Sequence, residues 1–250
     1  MTLVLPLKTR LSITPQNLRL YEATGFPLMT HTSRRRRMVD VPTLVHMEEP
    51  QAVERAEAET FVREAFDFAY GARIEHFLPT LMALRNDSGR LLAVLGLRET
   101  GSEPLFLEQY LDRPIEQTLS AAAACPVDRD SLVEVGNFAV GAAGGGRWLI
   151  TALTAYLYAA GHSWTVFTCG PELQNAFRRL GVDLLDLGIA DPNRLDADEW
   201  ARWGSYYDQR PRVMAANVSQ SHQILAALFE KECALNALWR GALQAGQLAA

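Results

Sequence analysis

Cysteine, lysine and long apolar runs are all scarce in this chain of 250 residues. The three cysteines (Cys125, Cys169 and Cys233) are odd in number and far apart, so the sequence predicts neither a disulfide framework nor a C-x-x-C metal motif. No two of the five histidines stand four residues apart, which excludes an H-E-x-x-H metal enzyme. We therefore expect reduced thiols, no metal site and a cytoplasmic location.

Charge and hydropathy exclude further classes of protein. No apolar segment approaches the roughly 20 residues of a transmembrane helix, and the first residues lack the cationic start and apolar length of a signal peptide. Lysine occurs twice, arginine supplies nearly all of the positive charge, and the formal net charge is −5. An acidic chain is a poor candidate for a nucleic-acid binder. We expect a globular protein with neither nucleic acid nor membrane as a partner.

The composition divides the chain into three segments. Residues 1–48 combine four prolines, weak periodicity and the run Arg34–Arg37, which predicts an irregular N-terminal arm with one short strand at most. The arginine run is either a solvated loop or a contact for an acidic partner. Residues 49–218 form the expected domain. Residues 219–250 hold an amphipathic helix that packs on the core or on a second subunit, which leaves a homodimer open.

Periodicity places the helices and strands. Helices are predicted over 50–71, 115–124, 148–160 and 171–180, strands over 81–85, 90–98, 105–111, 131–140, 163–168 and 212–218, and a last helix over 221–244. The order of strand, loop, helix, strand and helix within 131–180 is that of a βαβα unit with parallel strands. We therefore predict a single α/β domain with a central mixed, twisted sheet flanked by helices.

A loop of small residues joins the strand over 131–140 to the next helix. Its glycines are Gly141, Gly144, Gly145 and Gly146, and Arg147 stands in the first helical turn. Unpaired N–H groups and the helix dipole make such a turn a cradle for an anion, with pyrophosphate as the natural guest. The lysine of a Walker loop is missing and the pattern G-x-G-x-x-G also fails. An ordinary strand-to-helix turn is the other interpretation.

The spacing Gly141-x-x-Gly144-x-Gly146 resembles the coenzyme A pyrophosphate loop of the Gcn5-related N-acetyltransferases, with Gly141 in the place of an arginine or glutamine. The resemblance implies an acyltransferase-like domain with no tightly bound cofactor. Its co-substrate is acyl-coenzyme A or an acyl carrier protein. The loop, Arg147, and Phe138 and Val140 on the preceding strand are expected to bind that thioester, which enters between two parallel strands that part near Val140.

The helix end Phe177–Val182 resembles the Tyr-x-x-Leu-Gly-Phe helix end of the same fold. That tyrosine is often the acid that protonates the leaving thiolate, and Phe177 stands in its place. Either Tyr206 or Tyr207 supplies the missing acid, or the thiolate leaves unaided. A packing role in the core or at its rim is the other interpretation of the tyrosine pair.

A second resemblance covers the first half of the domain. The stretches Leu92–Arg98, Glu103–Leu107 and Glu134–Val140 are similar to those of acyl-homoserine-lactone synthases, which carry Gly-x-x-Arg-Leu and Glu-x-x-Arg-Phe-x-Val strands. Arg98 and Glu134 match these patterns. Asn137 stands where the synthases have an arginine, which argues against lactone synthesis.

Six motifs, over about 70–216, together resemble the thermostable hemolysin family. They are Tyr70–Arg73, Phe77–Pro79, Leu105–Leu111, Glu134–Asn137, Trp164–Thr168 and Trp203–Tyr207. The family's name records a lytic phenotype and implies no mechanism, whereas its fold looks like that of acyltransferases.

Three side chains carry the chemistry that these resemblances imply, and each has a structural interpretation beside it. Glu134 accepts a proton from an attacking amine or holds its ammonium group, unless it is a paired structural carboxylate. Asn137 orients an acceptor carboxylate or the thioester carbonyl, unless it caps a turn. Arg98 binds an acceptor carboxylate, unless it forms a salt bridge with a neighbouring glutamate.

Further residues are expected on the acceptor side of the site. If 105–111 is a strand, alternation sends Glu108 and Tyr110 the same way. Tyr70 and Arg73, from the first motif, complete the expected substrate-binding set. Cys169 ends a strand, but no base is expected near its thiol, which disfavours a covalent intermediate.

These features predict an N-acyltransferase. It moves an acyl group from an acyl-coenzyme A or acyl-carrier-protein thioester to a primary amine of an amino-acid-like acceptor by direct attack. Two alternatives stay open. One is a lytic, membrane-interacting protein, and the other is a protein that binds an acyl thioester without turnover.

Overall fold

The structure, a computed structural model, describes residues 41–101, 103–141, 145–229 and 233–249. Its strands are β1 (Leu44–Glu48), β2 (Thr80–Arg85), β3 (Leu91–Glu99), β4 (Leu132–Val140), β5 (Trp164–Cys169), β6 (Leu185–Ile189) and β7 (Arg212–Asn217). Its α-helices are α1 (Arg55–Tyr70), α2 (Ile115–Ala123), α3 (Gly145–Ala159), α4 (Pro171–Arg179), α5 (Ala197–Arg202), α6 (Val218–Phe229) and α7 (Cys233–Ala249). Arg34–Arg37 and Gly144 lie outside the described residues.

The strands form one mixed sheet in the order β1-β2-β3-β4-β5-β7-β6. The first four strands pair antiparallel, β4 and β5 pair parallel, and β7 pairs antiparallel with both β5 and β6. Helix α3 connects β4 to β5, as a crossover between parallel neighbours requires. The predicted βαβ unit and mixed sheet are therefore confirmed.

The segment predicted as a strand over 105–111 is instead a 3₁₀ helix, Phe106–Tyr110. The Glu108 carboxylate accepts hydrogen bonds from the N–H groups of Leu105, at 2.6 Å, and Ile115, at 2.8 Å. A side chain that bonds to its own nearby backbone closes a turn in place of a strand. The prediction that Glu108 and Tyr110 point the same way by strand alternation is wrong for this reason.

The N-terminal arm was predicted to hold one short strand at most, and the C-terminal helical region differs from the sequence prediction. The strand β1 pairs with β2, so the sheet begins inside the segment predicted as an arm. The single helix predicted over 221–244 is two helices, α6 and α7. Helix α6 starts at Val218 because the Asn217 side chain accepts the N–H of Gln220, an N-cap that the periodicity did not reveal.

Helices cover both faces of the sheet. Helix α1 packs on β2 and β3 on one face, and α3, α4, α6 and α7 form the main core on the other. Trp148 of α3 is fully buried, and α7 buries Leu238 and Trp239 in the same core. The two helices approach closely because Gly246 has no Cβ, which would lie 2.3 Å from the Tyr156 carbonyl oxygen. Among the described residues, no helix is long and apolar enough to cross a membrane.

The middle of the sheet opens along β4. Pairing between β4 and β5 covers Leu132–Val135 against Trp164–Phe167, and the second half of β4 pairs with β3 alone. The register with β3 shifts between Val94 and Gly96, and Asn137 opposite this shift has φ +49°. Such a β-bulge bends its strand. The carboxyl ends of the two parallel strands are therefore separated.

Candidate active site

A cavity of about 660 Å³ lies where β4 and β5 separate. Its walls come from the second half of β4, the end of β5, the segment between α1 and β2, and a group of aromatic residues. Of the residues predicted for the site, the lining includes Tyr70, Arg73, Arg98, Tyr110, Glu134, Asn137, Phe138 and Tyr207. A cavity of this size is typical of a small-molecule site.

Glu134 presents a buried and incompletely bonded carboxylate to this cavity. The residue is 4% exposed, and its Oε1 atom accepts the N–H of Leu107 at 3.1 Å. Its Oε2 atom has no hydrogen-bond partner among the described residues. Burial raises the pKa of Glu134, against the opposing effects of the Leu107 N–H and the Arg98 guanidinium. A carboxylate with an open oxygen and a raised pKa is suited to take up a proton.

Arg98 stands beside Glu134 in the sheet register, on the neighbouring strand β3. Its Nη1 atom is 3.9 Å from Glu134 Oε2, an ion pair that is too long for a hydrogen bond. The Arg98 side chain is 36% exposed and lines the cavity. Both head groups therefore keep hydrogen-bonding capacity for a ligand that carries an ammonium and a carboxylate.

Asn137 directs its amide across β3 to the cavity wall. Its Oδ1 atom accepts the N–H of Leu78 at 2.9 Å, and its Nδ2 atom donates to the His76 carbonyl at 3.4 Å. Gly96 makes this crossing possible, since a Cβ there would lie 2.7 Å from Asn137 Oδ1 and 2.9 Å from Leu78 Cβ. Asn137 thus positions the segment that carries His76, Phe77 and Leu78 into the cavity lining.

Tyrosine hydroxyls form the polar part of the aromatic wall. The hydroxyls of Tyr110 and Tyr207 are 2.6 Å apart, and that of Tyr206 donates to the Thr168 carbonyl at 3.4 Å. Burial raises the pKa of Tyr207 to about 12, and it raises the pKa values of Tyr110 and Tyr206 as well. These hydroxyls therefore stay protonated at neutral pH and act as donors.

The same wall has an extensive apolar surface. Tyr70 and Tyr206 meet edge to face at 5.3 Å, and Trp203 contacts Tyr206 at 5.2 Å and Phe106 at 5.9 Å. The turn at Gly204 holds this cluster against the end of α1. Glycine is required there because φ is +53° and because a Cβ would lie 2.1 Å from the Tyr70 carbonyl oxygen.

Two residues at the base of the cavity restrict the possible chemistry. Phe177 stacks on Phe167 at 5.1 Å and offers no proton. Burial raises the pKa of the Cys169 thiol to about 12, so a thiolate nucleophile is disfavoured. As expected from the sequence, no base is supplied by His162, which precedes the opposite end of β5 and lies 3.8 Å from Glu99.

Glu108 lies outside the cavity lining, although it was predicted to bind substrate. Its oxygens accept hydrogen bonds from Arg129 Nη1 at 2.8 Å and Nη2 at 2.9 Å, in addition to the two backbone N–H groups. Burial by itself raises the pKa of Glu108, but the Arg129 guanidinium and the N–H groups of Ile115 and Leu105 lower it to about 2. This carboxylate is bonded on both oxygens and has a structural role.

The glycine loop is described only at its two ends. Gly141 donates its N–H to the Leu92 carbonyl, and a Cβ there would lie 2.8 Å from Phe61. Gly145 and Gly146 begin α3, and a Cβ on Gly145 would lie 2.2 Å from Val140 Cγ1. Close packing thus accounts for two of the glycines. In the described residues, Val140, Gly141, Gly145, Gly146 and Arg147 lie outside the cavity lining, whereas Phe138 lines it.

Sequence reasoning missed part of the wall. Glu75, His76 and Arg202 line the cavity beside the predicted residues. The Leu107 backbone N–H, which holds Glu134, was also missed. The motif Phe77–Pro79 was a usable signal, because an apolar segment without helix or strand periodicity that recurs in a family motif is often a ligand-facing loop.

Comparison with known proteins agrees with this geometry. Residues 48–222 match the thermostable hemolysin family. The chain belongs to the thermostable hemolysin family. No curated protein matches the sequence significantly.

Solved structures share the fold of this hemolysin-family chain. FeeM, an N-acyl amino acid synthase from uncultured soil microbes, matches with a TM-score of 0.50 and 18% identity over 74% of this chain and 96% of its own. The acyl-homoserine-lactone synthase LasI matches with a TM-score of 0.50 and 13% identity over 73% of this chain and 94% of its own. The CoA-dependent acyl-homoserine-lactone synthase BjaI, solved with SAM and isopentyl-CoA, matches with a TM-score of 0.50 and 14% identity over 79% of this chain and 97% of its own. The predicted family and acyltransferase-like fold are confirmed.

Proposed function

We propose that this chain is an N-acyltransferase that moves an acyl group from a thioester of coenzyme A or of an acyl carrier protein to the primary amine of an amino-acid-like acceptor. The observation that carries the proposal is the Glu134 carboxylate. It is buried, open on one oxygen, and faces a cavity between separated parallel strands. Neighbours of the same fold are N-acyl amino acid and acyl-homoserine-lactone synthases, which supports this reaction by analogy.

Glu134 and Arg98 offer opposite charges to the acceptor. The acceptor ammonium pairs with Glu134 and its carboxylate pairs with Arg98, whose guanidinium suits a planar anion. Glu134 then takes one ammonium proton, and the neutral nitrogen attacks the thioester carbonyl carbon. The C–N bond forms, the C–S bond breaks, and the sulfur leaves as a thiolate. The second proton lost by nitrogen neutralises the thiolate, and the proton on Glu134 returns to solvent.

The tyrosines assist this step by hydrogen bonding. A thiol has a pKa of about 8.5, whereas burial raises the pKa of Tyr207 to about 12. Full proton transfer from Tyr207 to a thiolate is therefore uphill. We assign Tyr207, supported by Tyr110, the role of a donor that stabilises the developing sulfur anion while the thiolate leaves unaided.

Direct attack is favoured over an acyl-enzyme. The Cys169 thiol is buried with a raised pKa, and His162 lies away from it, so an activated cysteine pair is missing among the described residues. The donor thioester is expected to reach Glu134 past Phe138, through the opening between β4 and β5.

Thiol release with mass spectrometry tests the proposal. The purified chain is incubated with a ladder of acyl-coenzyme A and acyl-carrier-protein thioesters and with a pool of amino acids and amines. We expect release of free thiol together with a new amide, and loss of both in Glu134→Gln. No thiol release and no change in melting temperature with any thioester would contradict the proposal.

The family's description favours a lytic protein as the second candidate function. An acyltransferase whose amide product is a surfactant would lyse cells indirectly. Haemolysis by the complete reaction mixture, but not by the protein alone, supports the indirect route. Lysis by the protein alone, unchanged in Glu134→Gln, would favour the lytic protein.

A further inference from the structure

A second cluster of ionisable side chains lies at the edge of the sheet, outside the cavity lining. His46 and Glu48 alternate along β1 and therefore share the face that α1 covers. Glu54 occupies the N-cap position of α1 but makes no side-chain cap hydrogen bond. Its carboxylate is directed to His46 instead. The chain thus uses a helix-capping position for another contact.

The possible ligand atoms of these three residues converge. His46 Nδ1 lies 2.9 Å from Glu54 Oε2 and 3.6 Å from Glu48 Oε1, and one such atom of each residue lies within 4.8 Å of the others. Ligands bound at about 2.0–2.1 Å in a tetrahedron stand about 3.3 Å apart. The two observed distances lie on either side of that value.

Glu48 supplies a separate indication that a cation is bound. Its side chain is 0% exposed, and neither carboxylate oxygen has a hydrogen-bond partner among the described residues. A buried carboxylate without a partner is strongly unfavourable. The fully buried Glu48 carboxylate therefore faces His46, with Oε1 at 3.6 Å from Nδ1, and no hydrogen bond among the described residues offsets its burial.

The neighbouring arginines make their hydrogen bonds elsewhere, and Arg85 Nε is buried without a partner among the described residues. Arg55 donates to the backbone carbonyls of Glu48 and Leu78 and to the Glu59 carboxylate. Arg85 donates to Glu57 and to the Gly89 carbonyl. Neither guanidinium makes a hydrogen bond to the Glu48 carboxylate in the described structure, so the charge requires another partner.

We propose that His46, Glu48 and Glu54 bind one divalent transition-metal ion, with zinc as the matching probe. One imidazole nitrogen and two carboxylates are a ligand set that zinc accepts in proteins. The Glu54 side chain is 41% exposed, so the site is reached from solvent and water completes the coordination. The ion ties the edge strand β1 to α1, where Arg55 holds the Leu78 carbonyl at the cavity wall.

A proton on His46 is the competing way to neutralise the cluster. Glu48 and Glu54 raise the pKa of His46, while burial and Arg85 oppose this effect. A proton on His46 Nδ1 forms a hydrogen bond with either the Glu48 or the Glu54 carboxylate, whereas a metal ion contacts both. Metal binding displaces that proton, so zinc affinity should rise with pH.

Zinc titration of the chelator-treated full chain tests the site. We expect one equivalent of zinc by calorimetry, with a higher melting temperature. Glu48→Gln and His46→Gln should weaken binding by at least about tenfold, as expected for loss of a ligand. Glu64→Gln, an exposed position on the same helix, is the control that should bind as the wild type does.

A cobalt spectrum covers the case in which Glu48→Gln does not fold. Cobalt in the wild type should give visible absorption of a four- or five-coordinate site, and it should be lost in Glu54→Gln, at the partly exposed ligand. No zinc binding by the wild type, or unchanged binding in a folded Glu48→Gln or Glu54→Gln variant, would overturn the proposal in favour of a protonated His46.

Discussion

Glu108 and Glu134 belong to two motifs of the same family, but their carboxylates differ in their hydrogen bonds and in the direction of their pKa shifts. Glu108 is bonded on both oxygens to Arg129 and to two backbone N–H groups, and its pKa is lowered to about 2. Glu134 accepts the Leu107 N–H, its buried Oε2 atom has no hydrogen-bond partner among the described residues, and its pKa is raised. Burial raises the pKa of both carboxylates, and the difference comes from the Arg129 charge and the additional donors at Glu108 together with the deeper burial of Glu134.

This difference separates a carboxylate that closes a turn from the carboxylate that we propose as the catalytic base. Full bonding of Glu108 closes the turn that carries Leu107, and the Leu107 N–H in turn holds Glu134. Glu108 thus positions the backbone N–H group that in turn positions Glu134. Mutations at the two positions should therefore change different quantities.

The largest expected effect is the loss of activity in Glu134→Gln. Without the base, kcat/KM should fall about 100- to 10,000-fold, the usual range for a general base. Glu108→Gln, assayed where it is fully folded, should keep kcat/KM within about tenfold, because Glu108 acts only through the turn. Equal losses in the two variants would remove the distinction drawn between them.

Glu108 should dominate the response of stability to acid. Its folded pKa of about 2 lies below its ordinary value of 4.5, so its stabilising contribution is present above pH 4.5 and is lost as pH falls through 2. The shift sets an upper limit of about 3 kcal/mol at neutral pH, which solvent screening of the ion pair with Arg129 reduces. Denaturant unfolding of Glu108→Gln should show this loss near neutral pH and a weaker acid dependence. A variant as stable as the wild type at pH 7 would contradict the assignment.

The support for the cavity wall can be tested at Gly96. In Gly96→Ala the new methyl group meets Asn137 Oδ1 and Leu78 Cβ, and overpacking of this kind costs about 1–3 kcal/mol. We expect a lower free energy of unfolding and a higher KM, measured by urea titration and steady-state kinetics. Gly101→Ala, where a Cβ meets nothing within 4 Å, is the matched control.

The pH dependence of activity should report on Glu134. Because its pKa is raised, the Glu134 carboxylate becomes protonated at a higher pH than the carboxylate of an exposed glutamate does. Below that pKa, kcat/KM should fall about tenfold per pH unit. This fall in kcat/KM at acid pH should be absent from the residual activity of Glu134→Gln. An identical fall in that variant would show that another group titrates.

The smallest effect is expected at Cys169. With the thiol buried and its pKa raised to about 12, Cys169→Ala should lower kcat/KM by no more than about fivefold through packing. Intact-mass spectrometry after incubation with donor alone should find no acylated protein. An acyl adduct that disappears in Cys169→Ala would establish a covalent route.

Periodicity and motifs predicted the part of the molecule that local sequence determines. The βαβ unit around β4, and the positions of Arg98 and Glu134 on strands, follow from alternation and from motif order, whereas the pairing of those two strands was not predicted. Contacts between residues that are far apart in the sequence could not be predicted from periodicity or motifs. Asn137 reaches Leu78, 59 residues earlier in the chain, and its bulge depends on Gly96 of another strand.

Side chains that bond to the backbone explain the remaining misses. The Glu108 carboxylate closes a 3₁₀ helix where a strand was predicted. The Asn217 side chain caps α6, which therefore begins before the residues whose apolar spacing predicted the helix. The cluster of His46, Glu48 and Glu54 joins a strand to a helix end, and its spacing matches no metal motif. These features depend on tertiary placement, which periodicity does not encode.

A crystal structure with an unreactive thioether analogue of a long-chain acyl-coenzyme A tests the central claim most directly. The proposal predicts that the acyl-bearing end enters between the separated ends of β4 and β5, with the carbon that replaces the carbonyl carbon beside Glu134 and the chain along the aromatic wall. An analogue bound elsewhere, with Glu134 and Tyr207 facing an empty cavity, would contradict the assignment of this site to acyl transfer.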